Sequence, residues 1–138
     1  MNHKTLVFES KRCVGCRLCE QICTMSHFKV TNPSKSRIRI LRDDEKQTDL
    51  AIYCHQCPDA PCIEACDYEV LSKDTNTGAI KVIKENCVGC RRCIDECPYG
   101  TPIMHPSIDY ILICDLCSGN PECVSICPEM AIQFRGEK

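Results

Sequence analysis

The sequence predicts an α+β fold of short helices and β-hairpins, with one unit nested inside another. Three observations lead to this prediction. Sixteen of the 138 residues are cysteines, which is far above ordinary usage. Aromatic residues make up only 5% of the chain, so apolar burial alone supplies little stability. Short strand-like segments stand near both ends of the sequence and beside turn-forming stretches.

The charge balance and the expected compartment reduce the number of roles that these cysteines can have. The 17 basic and 19 acidic residues nearly cancel, which argues against a nucleic-acid-binding protein. The sequence "MNHKTLVFESKRC" has no apolar run of signal-peptide length, and no segment approaches a membrane span. We therefore expect a cytoplasmic protein without direct membrane insertion, whose thiols stay reduced. Reduced cysteines at regular spacing indicate metal ligands.

The cysteines form four groups of four, with none left over. Groups one and three have the spacing C-x2-C-x2-C-x3-C, whereas groups two and four have a wider middle gap. In chain order the groups are Cys13, Cys16, Cys19 and Cys23; Cys54, Cys57, Cys62 and Cys66; Cys87, Cys90, Cys93 and Cys97; and Cys114, Cys117, Cys123 and Cys127.

This spacing favours [4Fe–4S] clusters over zinc and over disulfides. A zinc site usually draws on two C-x2-C pairs, so a third cysteine two residues further on is superfluous. Three thiolates on one tight loop suit a cubane, and in bacterial ferredoxins the fourth cysteine binds the other cluster of a pair. The proline that follows it there is present here as Pro98 and Pro128, but groups one and two lack it. The sequence therefore predicts bacterial ferredoxin-like units, each with two clusters.

The segments beside the groups indicate which groups share clusters. "LVF" at 6–8 precedes group one and "AIQF" at 131–134 follows group four, so these two terminal strands are natural partners. "VLSKDTNTGAIKVI" lies between groups two and three and predicts a hairpin, the link expected inside one unit. We therefore expect an outer unit, 1–30 plus 108–138, and an inner unit, 31–107.

This pairing predicts four ligand sets, which we name A to D. The outer unit holds set A (Cys13, Cys16, Cys19, Cys127) and set B (Cys114, Cys117, Cys123, Cys23). The inner unit holds set C (Cys54, Cys57, Cys62, Cys97) and set D (Cys87, Cys90, Cys93, Cys66). Four [4Fe–4S] clusters use every cysteine and leave no open iron site, so we expect single-electron relay and assign no catalytic residue.

Smaller features near the groups carry further expectations. Gly15 and Gly89 precede the second cysteine of their groups, where a small residue allows N–H groups to approach sulfur. His27 and His55 are not needed as ligands because the thiolates suffice. Tyr99 follows a Cys-Pro pair, a position from which an aromatic ring can pack against a cluster.

The two joins between the units are also interpretable. "SRIRILRDDEKQTDLAIY" predicts a hairpin, and the three prolines of "PYGTPIMHPSIDY" predict an extended connector without a regular helix. Arg37 and Arg39 alternate with isoleucines, which on a strand puts the arginines on one face. That face is either simply exposed or a docking surface for a catalytic subunit.

The order of the four groups, with groups two and four widened, resembles the electron-transfer iron–sulfur subunits of molybdenum and tungsten oxidoreductases of the dimethyl-sulfoxide-reductase type. "CRLCEQICTMSHF" followed by "NPSKSRIRI" is most similar to the small polyferredoxin subunits of tungsten aldehyde oxidoreductases, and a benzoyl-CoA reductase small subunit is similar. The resemblance covers nearly the whole chain. It implies the same pairing of groups and a hetero-oligomer with a tungsten- or molybdenum-pterin catalytic subunit, with or without a flavin- or NAD-linked subunit.

Other functions stay open on the sequence alone. The chain could serve a different complex, namely a benzoyl-CoA reductase, formate dehydrogenase, carbon monoxide dehydrogenase or hydrogenase. It could also be a free polyferredoxin that shuttles between enzymes, or a structural zinc protein. Iron and acid-labile sulfide analysis separates the last of these from the others.

Overall fold

The computed structural model describes residues 4–136; residues 1–3 and 137–138 of the expected outer unit lie outside the described residues. The strands in this range are Lys4–Phe8 (β1), Arg39–Asp43 (β2), Thr48–Ile52 (β3), Leu71–Lys73 (β4), Ile80–Val82 (β5) and Ile132–Gly136 (β6). The α-helices are Leu18–Phe28 (α1), Pro61–Ala65 (α2), Arg92–Glu96 (α3) and Glu122–Ile126 (α4). Short 3₁₀ turns occupy Pro33–Lys35, Lys84–Asn86 and Leu116–Gly119. The expected α+β class, with short helices and small antiparallel sheets, is confirmed.

Strands β1 and β6 pair with each other although they lie at opposite ends of the described chain. They are antiparallel, with Leu6 opposite Phe134 and Phe8 opposite Ile132. The predicted pairing is confirmed, but both strands extend beyond the apolar stretches read from the sequence. Lys4 lies opposite Gly136 and Thr5 opposite Arg135. Backbone pairing thus continues beyond the apolar residues that mark the two strands in the sequence.

Strands β4 and β5 form the hairpin expected between groups two and three. Their turn is built around Asp74, whose Oδ1 accepts hydrogen bonds from the N–H groups of Asn76 at 2.7 Å and Thr77 at 3.4 Å. Gly78 has φ +74°, and its N–H donates to the Asp74 carbonyl at 2.8 Å. An aspartate that binds its own turn, followed by glycine with positive φ, explains why this sequence reverses the chain here.

The two joins also agree with their sequence patterns. β2 and β3 form an antiparallel hairpin in which Leu41 lies opposite Leu50. The segment 98–110 contains no helix, and its Ile103 makes an isolated antiparallel bridge to Leu112. Both predictions are confirmed.

The buried residues of the described chain form two clusters rather than one. The first combines the terminal strands with the hairpin β2–β3 and α1: Leu6, Cys19, Ile38, Ile40, Ala79, Leu116, Cys123 and Ile132. The second gathers residues from the middle of the chain: Cys54, Ala60, Val70, Leu71, Ile80, Cys93, Ile111 and Ile113. Cysteines belong to both clusters, so the candidate ligands are part of the packing.

The helices are short and begin beside cysteines. The longest, α1, has 11 residues. It ends at Lys29, a left-handed residue (φ +60°) whose N–H donates to the Met25 carbonyl at 2.9 Å. Among the helices of residues 4–136, none has the length and apolar character needed to cross a membrane.

Candidate metal centres

The loops of groups one and three share one backbone conformation. Gly15 and Gly89 both have φ +73°, and Arg17 and Arg91, just before helices α1 and α3, have φ +61° and +65°. Left-handed φ at two places in a short loop curls the chain back on itself and points successive cysteines inward. The glycines were expected for close approach to sulfur, and the structure adds that their backbone conformation itself favours glycine.

Three of the four predicted sets line hollows of nearly equal size. Measured in the same way, the hollow at set A has about 340 Å³, the one at set C about 360 Å³ and the one at set D about 350 Å³. The cysteines on their walls are Cys13, Cys16, Cys19 and Cys127 at set A; Cys54, Cys57, Cys62 and Cys97 at set C; and Cys66, Cys87, Cys90 and Cys93 at set D. Each hollow thus receives three cysteines from one group and the fourth from another.

In set B, Cys123 is buried, and Cys23, Cys114 and Cys117 are partly buried. Burial raises the pKa of the Cys114 thiol well above its usual value, against the hydrogen bond from the Leu116 N–H, and the nearby Cys123 and Cys23 raise it further. Cys117 also lies within electrostatic range of Cys23. The structure therefore brings this set together as well, around the 3₁₀ turn Leu116–Gly119.

Among residues 4–136, four backbone N–H groups donate to cysteine sulfur, each at a donor–sulfur distance of 3.4 Å. The pairs are Arg37 to Cys23, Gln56 to Cys54, Leu116 to Cys114 and Ala131 to Cys127. Such hydrogen bonds stabilise negative charge on sulfur and help to set the potential of an iron–sulfur centre. The donor groups therefore fit thiolate ligands.

Several thiols are unfavourable as charged groups in this environment, although hydrogen bonds outweigh burial and lower the pKa of Cys23 and Cys97. All sixteen cysteines are free of disulfide bonds. Burial raises the pKa of Cys19, Cys54 and Cys123 to about 12 and that of Cys93 to about 11. Metal binding deprotonates thiols and removes this penalty, so the thiols fit a group that carries several irons.

Neighbouring sets approach each other through single pairs of cysteines. Cys19 of set A raises the pKa of Cys123 of set B, after burial and the thiols of Cys117 and Cys23. Cys54 of set C acts in the same way on Cys114 of set B. Cys62 of set C raises the pKa of Cys93 of set D, second only to burial. Set A thus lies next to set B, set B next to set C, and set C next to set D.

Gln56 joins sets B and C through partners that are distant in the sequence. It is buried, and its Nε2 donates to the Cys114 carbonyl at 2.9 Å while its Oε1 accepts from the Ile80 N–H at 2.9 Å. Its only sequence signal is its place between Cys54 and Cys57, because both partners are distant in the chain.

His27 lies beside set B without being required by it. Its Nδ1 is 2.8 Å from the Cys23 carbonyl and 3.9 Å from the Cys23 sulfur, and its Nε2 is 3.2 Å from Asp115 Oδ1. His27, Asp115 and Cys117 could hold a single metal ion, since their ligand atoms lie within 4.8 Å of one another. A zinc ion there would use a cysteine that set B needs, so this trio and a cluster at set B are alternatives.

His55 is stacked between two tyrosines at set C. Its ring centroid is 4.6 Å from that of Tyr53 and 3.9 Å from that of Tyr99. His55 and Tyr99 both line the set C hollow. The aromatic rings thus cover one wall of this site, and the position expected for Tyr99 agrees with the structure.

The prediction that Arg37 and Arg39 share one exposed face is wrong. Arg37 is only 9% exposed and lies before β2 begins, so strand alternation does not apply to it. Arg39 is on β2, but its Nη2 donates to the carbonyls of Gly100 at 2.9 Å and Thr101 at 3.3 Å. The Arg39 side chain thus serves contacts within this chain, and that of Arg37 packs against Phe28, so the two do not form one exposed face.

Comparisons with known proteins agree with this geometry. Residues 47–137 match the family model described as a 4Fe-4S dicluster domain. The chain is 42% identical over 118 residues to the polyferredoxin-like subunit of the aliphatic sulfonate oxidoreductase of Pyrococcus furiosus, which covers 86% of this chain and 68% of the relative. It is 28% identical to the thiosulfate reductase electron transfer subunit PhsB of Salmonella typhi, over 97% of this chain and 78% of the relative.

A similar solved structure comes from the active site complex BamBC of benzoyl coenzyme A reductase in complex with zinc. One of its chains has a TM-score of 0.59 and 26% identity, and the match covers 100% of this chain and 81% of that one. The similarity thus extends over the whole chain, including the segments that join the cysteine groups.

Proposed function

Since the chain belongs to the family of 4Fe-4S dicluster domains, we propose that it carries four [4Fe–4S] clusters. Its function is to relay single electrons as a subunit of an oxidoreductase complex. The observation that carries this proposal is the gathering of sixteen cysteines into four sets, three of them around hollows of nearly equal size.

The ligands of each cluster are the four cysteines of one set. Set A is Cys13, Cys16, Cys19 and Cys127; set B is Cys114, Cys117, Cys123 and Cys23; set C is Cys54, Cys57, Cys62 and Cys97; set D is Cys87, Cys90, Cys93 and Cys66. A bound cubane supplies reversible one-electron redox chemistry. The residues around it exclude water, donate hydrogen bonds to sulfur and hold the sets at fixed spacing.

The chain forms two nested units. The inner unit, 31–107, is inserted between the two parts of the outer unit, 1–30 and 108–138. The pairing of β1 with β6 and the separate hairpin β4–β5 support this division. Ile38 and Ile40 pack in the first apolar cluster with Leu6 and Ile132. The hairpin β2–β3 therefore packs against the outer unit, although its residues belong to the sequence range of the inner unit.

Electrons pass along the sets in the order A, B, C, D or the reverse. The proximity of Cys19 to Cys123, of Cys114 to Cys54 and of Cys62 to Cys93 supports this order. Cys16 of set A and Cys90 of set D are the exposed cysteines, so the two ends of the relay reach the surface. Each end is suited to contact a different redox partner.

The partner is a catalytic subunit with a tungsten- or molybdenum-pterin centre, in a cytoplasmic hetero-oligomer. The names of two relatives, subunits of an aliphatic sulfonate oxidoreductase and of a thiosulfate reductase, support a role as a dedicated subunit. The sequence resemblance to polyferredoxin subunits of tungsten aldehyde oxidoreductases supports the choice of metal. The chain itself does not catalyse a reaction on a substrate.

The cluster proposal is tested by anaerobic purification followed by iron, acid-labile sulfide and zinc analysis. Four cubanes require about sixteen irons and as many sulfides per chain, a brown colour that bleaches on reduction, and spin-coupled EPR signals. Zinc without sulfide would contradict the proposal and favour a structural zinc protein.

The partner proposal is tested separately, by anaerobic affinity purification from the native cell with mass spectrometry and tungsten and molybdenum analysis. A stoichiometric complex with a pterin-containing subunit is expected. A protein that stays monomeric and brings no partner would instead indicate a freely diffusing shuttle.

A further inference from the structure

The same turn follows the fourth cysteine of sets A, C and D. Each of these cysteines comes directly after a five-residue helix, namely α4, α3 and α2 in that order. The third residue after the cysteine has positive φ in all three turns: +55° at Met130, +63° at Gly100 and +56° at Glu69. The fourth residue after the cysteine therefore occupies an equivalent place in each set.

The side chain at this fourth place differs between the three sets. It is Ala131 at set A and Val70 at set D, but Thr101 at set C. Each of these residues lines the hollow of its own set. Thr101 Oγ1 lies 3.5 Å from the Cys97 sulfur. Set C thus has a hydroxyl beside its fourth cysteine where the other two sets have methyl groups.

The Thr101 hydroxyl is suited to donate to a metal-bound thiolate. A thiolate bound to metal carries no proton, so the hydroxyl is the donor in this pair. Thr101 is only 4% exposed, and water therefore competes little for the bond. Burial raises the pKa of the Cys97 thiol, but the Thr101 hydroxyl and nearby backbone N–H groups outweigh burial and lower it. The surroundings of Cys97 thus favour negative charge on its sulfur.

Arg39 fixes the backbone that carries this hydroxyl. Its Nη2 donates to the Gly100 carbonyl at 2.9 Å and to the Thr101 carbonyl at 3.3 Å. Arg39 belongs to β2, so the hairpin β2–β3 holds the turn after Cys97 from outside the inner cysteine groups. A donor with a fixed backbone keeps its direction toward the ligand sulfur when the charge on that sulfur changes.

We propose that Thr101 is a positioning residue that raises the reduction potential of the cluster at set C. This inference rests on the proposed [4Fe–4S] clusters. Reduction adds negative charge to a cluster and its thiolates, so a hydrogen bond to a ligand sulfur stabilises the reduced state more than the oxidised one. Ala131 and Val70 offer no side-chain donor at the same place. The contribution of Thr101 therefore favours an electron at set C over the neighbouring set D.

Set B does not take part in this comparison. Its fourth cysteine, Cys23, lies inside α1, and the fourth residue after it is His27 of the same helix. His27 Nδ1 is 2.8 Å from the Cys23 carbonyl and 3.9 Å from the Cys23 sulfur, so the carbonyl is its nearer partner. The turn with positive φ is absent at this place, and the proposal depends on sets A, C and D alone.

A simpler explanation is that the Thr101 hydroxyl only needs a partner because it is buried. Thr101 would then contribute to stability and not to the potential. A bond of equal strength in both redox states leaves the potential unchanged, whereas a bond that strengthens on reduction raises it. Measurement of the potential therefore separates the two explanations.

The experiment is an anaerobic redox titration of the iron-loaded protein, followed by EPR. In Thr101→Val we expect one of the four one-electron steps to move to a more negative potential, by about threefold or more in its equilibrium constant, because a donor to a charged sulfur is lost. Thr101→Ser keeps the hydroxyl and should keep the wild-type potentials. Thr77→Val is the matched control, because Thr77 Oγ1 accepts from the Ala79 N–H at 3.2 Å and its loss should shift no step.

Iron and acid-labile sulfide are measured for every variant. A wild-type protein without clusters contradicts the proposed function itself, whereas four clusters with unchanged potentials in Thr101→Val contradict only the role of Thr101. If Thr101→Val loses a cluster, Thr101→Ala decides, since it removes the hydroxyl without placing a methyl group against the sulfur. The role is equally wrong if Thr101→Ser or Thr77→Val shifts a step as far as Thr101→Val does.

Discussion

At the level of single residues, Gly15 and Gly89 occupy equivalent places in the loops of groups one and three, but their surroundings differ. A Cβ atom at Gly15 would lie 3.1 Å from Asp49 Oδ1, and the nearest atom to one at Gly89 would be Met104 Cε at 3.5 Å. Asp49 is buried and paired with Arg42 at 3.2 Å, so it has little freedom to move away. The two glycines therefore share the same φ, but an added side chain meets more steric hindrance at Gly15 than at Gly89.

Gly15→Ala should destabilise the protein more than Gly89→Ala. Both substitutions place a Cβ at positive φ, which costs about 1 kcal/mol. Only Gly15→Ala also crowds the buried carboxylate of Asp49, which adds about 1–3 kcal/mol. Anaerobic thermal unfolding followed by circular dichroism measures the difference. Equal unfolding temperatures for the two variants would mean that Asp49 relaxes freely.

Sequence reasoning at this scale found the cysteines but not the side chains that support them. Cysteine spacing is local and visible along the chain. Gln56 and Glu20 act through partners 58 and 20 residues away, and no local pattern marks such contacts. The predicted exposure of Arg37 is wrong because the alternation of a strand holds only from Arg39 onward, where β2 begins.

At the level of elements, one carboxylate connects helix α1 to the hairpin β2–β3. Glu20 is 2% exposed, and its Oε2 accepts from the Ile40 N–H at 2.6 Å and from Arg17 Nη1 at 3.3 Å. The N–H of a strand residue is thus satisfied by a helix side chain. This bond fixes the hairpin against the wall of set A, where Ile40 lies.

Glu20→Ala should therefore destabilise the protein by about 1–3 kcal/mol, because the buried Ile40 N–H loses its acceptor. Glu20→Gln is the matched control, since its amide oxygen can still accept this bond. Chemical denaturation under anaerobic conditions gives both values. If the alanine variant is as stable as the glutamine variant, the bond to Ile40 does not hold the hairpin.

The elements themselves were largely predictable, for physical reasons that differ between them. The hairpin β4–β5 follows from its own turn residues, Asp74 to Gly78. The pairing of β1 with β6 followed only from the logic of shared cysteine groups, because two terminal segments carry no local sign of contact. Strand ends were misjudged by about two residues, since Lys4, Thr5 and Arg135 pair through backbone atoms alone.

At the level of the whole molecule, the two apolar clusters meet at Cys114, which packs against both. Gln56 spans the same boundary, with one hydrogen bond to the Cys114 carbonyl and one to the Ile80 N–H. This amide side chain therefore helps to hold sets B and C in position. In the proposed relay, this is the step at which an electron leaves one unit for the other.

Gln56→Leu should loosen this boundary, because two buried backbone groups lose their partners at a cost of about 1–3 kcal/mol each. We expect a lower unfolding temperature and weaker magnetic coupling between the clusters of sets B and C in EPR spectra. Gln133→Leu is the control, since its side chain donates only a single bond to the Met130 carbonyl at 3.2 Å. If the Gln56 variant keeps the unfolding temperature and the magnetic coupling of the wild type, Gln56 does not hold sets B and C together.

The partnership of β1 with β6 constrains how the protein can be assembled during translation. Residues 4–8 emerge from the ribosome long before residues 132–136, so β1 must wait while the hairpins β2–β3 and β4–β5 close through nearby contacts. With the proposed ligands, Cys13, Cys16 and Cys19 wait in the same way for Cys127. Under the proposed ligand sets, iron insertion at set A is therefore a late, post-translational step.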